Sequence, residues 1–180
     1  MKNDSVTAKN QVVVFMDIHN YSIVINKLGK NQHGRFLQEV YEKLGDIIVE
    51  YNGEIIKYLG DAILCVFPAD SENDVIQCSL NLRKAYSDII RKRDISQDTE
   101  LEIGVASGTL EVGIFGHKSL RQKDIFGDEV NRAATIGHHR GIAITENVYD
   151  KIKINYKTAK LPEFKVKWQD EPLQVWEIAE

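Results

Sequence analysis

Residues 55–67 read IIKYLGDAILCVF, two apolar, β-prone runs meeting at a Gly-Asp pair. The pattern predicts a hairpin closed by a two-residue turn at Gly60-Asp61. It constrains the chain more than any other stretch because on either side the hydrophobic period changes to that of a helix. From Gly34 to Tyr51 the residues Phe36, Leu37, Val40, Tyr41, Leu44, Ile47, Ile48 and Tyr51 recur at three and four, and Asn52-Gly53 supplies a stop. From Asp70 to about Arg93 the period returns through Val75, Ile76, Leu80, Leu82, Tyr86, Ile89 and Ile90, ending in a cationic RKR that suits a helix C-terminus.

A hairpin between two amphipathic helices needs further strands to pack against. Residues 11–17, QVVVFMD, lack polar alternation, as expected of a strand covered on both faces, and end at an acid. Residues 101–116, LEIGVASGTLEVGIFG, read as a second hairpin turning at Ser107-Gly108, with glycines where backbone is bulged or closely approached. A short helix is expected from about Asp128, then a strand IAITE, and FKVKW with LQVWEI as a closing strand pair. The order predicts an α+β fold with a ferredoxin-like βαββαβ core and a C-terminal strand pair. Residues 11–180 are expected to form one domain after a flexible tail of residues 1–10.

Bulk properties narrow the class. A chain of 180 residues can bury roughly 70% of its unfolded surface without staples. A formal charge of -4 argues against a nucleic-acid partner. Cys65 and Cys78 have no C-x-x-C or histidine spacing, so they read as reduced core thiols and imply a cytoplasmic address. The polar start lacks the apolar middle of a signal peptide, and no run approaches the roughly 20 apolar residues that cross a bilayer, so no membrane insertion is expected.

In a βαββαβ core the end of the first strand and the following hairpin lie side by side, which brings Asp17 and Asp61 to one rim. Singly, Asp17 reads as a helix cap and Asp61 as a turn residue. Together they form a carboxylate pair that shares a proton or takes up divalent cations, and oxygen-rich sites of this kind suit Mg²⁺ or Mn²⁺ completed by phosphate oxygens. The segment after Asp17, IHNYS, offers backbone N–H groups and the Ser22 hydroxyl at a helix start, a cradle for phosphate. Two-metal phosphoryl transfer is the reaction class this implies.

These residues resemble the class III nucleotidyl cyclases, whose D-I-x-G-F-[ST] and K-x-x-G-D segments bear two metal aspartates; here they read DIHNYS and KYLGD. In the same order, IGVASGTLEVGIFG is similar to IGIHTGEVVAGVIG, DIFGDEVNRAAT to DIxGxxVNxAAR, and VKWQDEPLQVWEI to LKGxxEPVxVYEV, so the likeness spans residues 11–178. The resemblance implies that Asp17, Asp61 and the Ile18 carbonyl hold two Mg²⁺ or Mn²⁺ ions per site, with Tyr21 and Ser22 against the triphosphate. It further implies a head-to-tail homodimer in which Lys57, Asp124, Asn131 and Lys167 face the metal pair of the other protomer. Lys57 and Asp124 match the adenine-binding positions, Asn131 the ribose-orienting residue and Lys167 a triphosphate lysine.

The chain departs from that pattern at several points. Thr135 stands where the family has an arginine that stabilises the transferring phosphate, so either the domain is a degenerate partner or another cation such as Arg132, Arg140 or Lys167 serves in its place. Asn20 replaces a glycine, Trp168 replaces another, and TIGHHRG is short. Trp168 and Tyr58 suggest a pocket reshaped toward a smaller base, although strand alternation sets Tyr58 opposite Lys57 unless the hairpin is bulged. The chain most resembles the stand-alone pyrimidine nucleotide cyclases of bacterial Pycsar antiphage systems, which make cyclic UMP or cyclic CMP for a separate effector. Cyclic UMP from UTP is the first expectation and cyclic AMP from ATP the competitor, and a non-catalytic regulatory domain is the alternative from another class. The adjacent histidines of GHHRG point in different directions in either helix or strand and read as a surface loop rather than one zinc site.

Overall fold

A computed structural model describes residues 5–29, 31–95, 98–166 and 168–179. The first strand, β1 (Thr7–Ile18), runs beyond the apolar run at its N-terminal end, because Thr7–Asn10 continue the ladder although their side chains are exposed. After a turn at His19-Asn20 come α1 (Tyr21–Leu28) and α2 (His33–Glu50), then the hairpin β2 (Glu54–Leu59) and β3 (Ala62–Pro68), closed at Gly60-Asp61 as expected. Gly60 has φ 70°, the left-handed conformation that a glycine adopts without a Cβ clash. The long α3 (Glu72–Lys92) follows, with Arg91 and Lys92 in its last turn.

The expectation of a second hairpin at Ser107-Gly108 is corrected. Residues 101–117 form one strand, β4 (Leu101–His117), and the chain reverses only after it, into β5 (Leu120–Phe126). Pairing overrides the turn residues, since β1 lies antiparallel along β4 through twelve consecutive positions, from Thr7 opposite Val112 to Ile18 opposite Leu101. Ser107 and Gly108 sit in mid-ladder opposite Val12 and Gln11. Then come α4 (Asp128–Ile136), β6 (Ile142–Thr145), α5 (Glu146–Ile152), β7 (Thr158–Lys160) and β8 (Val175–Ile178).

The closing pair is also corrected, since β8 pairs with β7 and β6, and the described residues of FKVKW contribute a bridge from Phe164 to Leu173. The edge of β8 is taken by β7 and by Leu161, whose N–H bonds the Val175 carbonyl at 2.9 Å, and Leu161, Phe164 and Val166 pack around Leu173 and Val175. The eight-stranded sheet has the order β2-β3-β1-β4-β6-β8-β7, with β5 paired to β4.

Two faces divide the core. Val12, Val14, Met16 and Ile18 point to the outer face, packed with α1, α2, α3 and α5. Val13 and Phe15 point to the inner face, with Leu64, Val66, Ala106 and Leu110, where Ala133 of α4 packs. Both cysteines are buried in the outer core as free thiols. No helix among the described residues is long and apolar enough to cross a membrane.

Candidate active site

Asp17 shares the parity of Val13 and Phe15 and lies where β1 leaves the sheet, beside the β2–β3 turn that carries Asp61. Its Oδ1 accepts the Ile18 N–H at 3.0 Å. Burial raises the Asp61 carboxyl above its usual range; its own backbone N–H opposes this, while the Asp17 charge and a side-chain hydrogen bond with Asp17 raise it further. The two acids expected to meet do so, and they strain against each other. Among the described residues no three His, Cys, Asp or Glu side chains are arranged to hold one ion. A pair of hard oxygen donors fits Mg²⁺ or Mn²⁺, which fill the rest of the shell with backbone, water or phosphate oxygens.

The turn is braced from the outer side by tyrosines. The Tyr41 hydroxyl of α2 donates to the Gly60 carbonyl, and its ring stacks on Tyr58 at 4.1 Å. Tyr21 stacks on Phe36 at 6.5 Å, and its hydroxyl is pushed up first by burial and then by the Asp61 charge, which places Tyr21 close to the carboxylate pair. Ser22 is exposed in the first turn of α1. Sequence reading took Tyr41 for a core position, and its helical spacing carries no sign of the hydrogen bond.

Lys57 and Asp124 form a second centre. Lys57 Nζ donates to Asp124 Oδ2 at 2.6 Å, and Asp124 Oδ1 accepts the Ile125 N–H at 2.8 Å. A bulge in β2 between Ile55 and Lys57 aims this lysine. The extra residue puts Lys57 opposite Leu64 of the inner cluster, whereas strict alternation from Ile55 would have turned it outward. Tyr58 then falls opposite Ile63 on the outer face, so the structure brings Lys57 to Asp124 and leaves Tyr58 on Tyr41.

On α4, Asn131 is exposed, and Thr135 Oγ1 bonds back to its carbonyl at 2.8 Å. Arg132 and Arg140, two of the three cations that could stand in at this slot, are engaged elsewhere. Arg132 pairs with Glu129 at 2.6 Å and reaches Gln169 at 3.3 Å, and Arg140 pairs with Glu100. Lys167 lies outside the described residues, and Trp168 beside it is 46% exposed. The GHHRG rings diverge, His138 Nδ1 standing 3.4 Å from Asp17 Oδ2 and His139 Nε2 standing 3.6 Å from Glu177. The sequence did not reveal the nearness of His138 to Asp17; the short TIGHHRG segment that ends α4 was its trace.

Comparison with known proteins agrees with this architecture. A family model described as the adenylate and guanylate cyclase catalytic domain matches residues 4–178. An adenylate cyclase of Anabaena cylindrica is 24% identical across 96% of this chain, which spans 37% of that protein's length. Among solved structures, the adenylyl cyclase CyaB from P. aeruginosa superposes with a TM-score of 0.86 at 22% identity, covering 98% of this chain and 96% of that one. The guanylyl cyclase Cya2 superposes at 0.83 and 19% identity, covering 97% and 93%. At such identities these structures show a shared fold.

Proposed function

Because the chain belongs to the adenylate and guanylate cyclase catalytic domain family, we propose that it converts a nucleoside triphosphate to a 3′,5′-cyclic nucleotide and pyrophosphate. The observation that carries this reading is the convergence of Asp17 and Asp61 from distant parts of the chain into one strained carboxylate pair. Bound Mg²⁺ or Mn²⁺ would supply activation of the ribose 3′-hydroxyl and charge neutralisation on the phosphates. Asp17, Asp61 and the Ile18 carbonyl would hold it. Tyr21, Ser22 and the N–H groups of the β1–α1 turn would orient the triphosphate. Asn131 and Lys167 would serve the same substrate from the second copy of a homodimer.

Lys57 and Asp124 would read the base. An ammonium donor beside a carboxylate acceptor suits a base edge that offers an acceptor next to a donor, which adenine does through its ring nitrogen and amino group. Their 2.6 Å contact supports this reading, since it brings donor and acceptor together on the inner side. ATP is therefore the first reading, and the adenylate cyclase relative supports it.

Uracil presents the same two roles on a smaller ring. Thr135 in place of arginine and the half-exposed Trp168 favour that second reading, in which UTP yields cyclic UMP for a separate effector in antiphage defence. Incubation of the purified protein with each of the four nucleoside triphosphates and Mn²⁺, with products identified by mass, separates the cases. Cyclic AMP supports the first reading and cyclic UMP the second, while no cyclic product from any of the four sinks the catalytic proposal and leaves a regulatory domain.

A further inference from the structure

We infer that His138 is a positioning residue that holds the Asp17 carboxylate toward Asp61, an inference that rests on the cyclase reading above. The fold delivers this side chain by an unusually close approach of α4 to the sheet. A Cβ on Gly104 would lie 2.1 Å from the Ala133 carbonyl and 2.6 Å from the Gly137 nitrogen. A Cβ on Gly137 would lie 2.9 Å from the Phe15 ring and 3.1 Å from the Phe15 carbonyl. Only with glycine at both places does the end of α4 come down onto β1, two residues before Asp17.

The chain then leaves Gly137 with His138 lying edge-on to Phe15, ring centroids 5.8 Å apart, and Nδ1 3.4 Å from Asp17 Oδ2. Asp17 Oδ1 is already fixed by the Ile18 N–H. Backbone and imidazole thus address different oxygens of one carboxylate. The Nδ1 position is a donor in one neutral tautomer and in the cation. A donor at that place adds a restraint on Oδ2 to those that the Ile18 N–H and the side-chain hydrogen bond with Asp61 already set on Asp17. Other side chains on and after α4 are committed: Thr135 to the Asn131 carbonyl, Arg132 to Glu129 and Gln169, Arg140 to Glu100.

Outer partners of a metal-binding carboxylate matter because they hold it in the rotamer the ion requires, and their loss typically weakens metal binding about 10- to 100-fold. The test is Mn²⁺ binding to the full chain without nucleotide, read from the free-ion electron paramagnetic resonance signal. His138→Ala should weaken binding within that range, and His138→Asn, which keeps an N–H donor near the Nδ1 position, should recover most of it. His139→Ala should leave it unchanged. With the His138 side chain 61% exposed, unfolding temperatures measured without metal should agree among the wild type, His138→Ala and His138→Asn.

Equal Mn²⁺ affinity in the wild type and His138→Ala overturns the inference and leaves the carboxylate pair standing. Weakening in His138→Ala with no recovery in His138→Asn overturns the donor role. A wild type that binds no Mn²⁺, or an Asp61→Asn variant that binds it equally well, overturns the metal reading and this inference together.

Discussion

The role proposed for Asp61 asks for a charge that its surroundings oppose. Burial and the Asp17 charge raise its folded carboxyl above the unfolded value, so the proton is bound more tightly in the folded chain. The sign follows from linkage: this contribution favours folding at low pH and is lost as pH rises through the raised value, leaving a destabilising charge at neutral pH. Asp61→Asn should therefore raise the thermal midpoint at neutral pH in the absence of divalent ions while lowering turnover at least about 100-fold. Calorimetry and a cyclisation assay check the two halves; a variant that keeps full turnover would remove the metal assignment. The Asp61 carboxylate was legible because Gly-Asp between two β runs is a strong local signal. Its companion Tyr41, holding the turn through the Gly60 carbonyl, was not, because a hydrogen bond from a helix to a turn nineteen residues away leaves no periodic mark.

At the scale of elements, β4 shows where local signals mislead. Ser-Gly in an apolar run reads as a turn, yet here the glycines admit α4. At Gly104 an added Cβ would meet backbone, whereas at Gly108 it would meet the side chain of Glu129, with Cγ at 2.8 Å. Backbone does not give way as a side chain does. Gly104→Ala should destabilise by at least about 1–3 kcal/mol in urea unfolding, and Gly108→Ala by distinctly less. Equal losses would mean that helix α4 rests less tightly on the sheet than its geometry indicates. The helices α2 and α3 were legible almost to the residue because each buries a continuous stripe, so periodicity reports packing directly. By contrast α5 is too short for that signal, and β7 pairs through three residues, TAK, of which only the threonine favours a strand.

For the whole molecule, the inner face carries Asp17, Lys57, Asp124 and α4 together, while the outer face is sealed by helices. A site completed by a second copy predicts complementation. Asp61→Asn and Asn131→Ala should each be inactive alone. An equal mixture should recover about one quarter of wild-type activity, since random pairing makes half the dimers mixed and each mixed dimer holds one intact site of two. No recovery after exchange at high protein concentration would show that each chain uses its own Asn131.

The sequence by itself determined the two helical stripes, the apolar strands, the turn at Gly60-Asp61 and the meeting of Asp17 with Asp61, because these follow from spacing along the chain and from the few ways a βαββαβ order can close. Only the tertiary structure decided which side chains join them. One inserted residue in β2 turned Lys57 inward and Tyr58 outward, and two glycines let α4 lower His138 onto Asp17. A bulge and a close approach arise from contacts between distant segments, and such contacts are written in no local period.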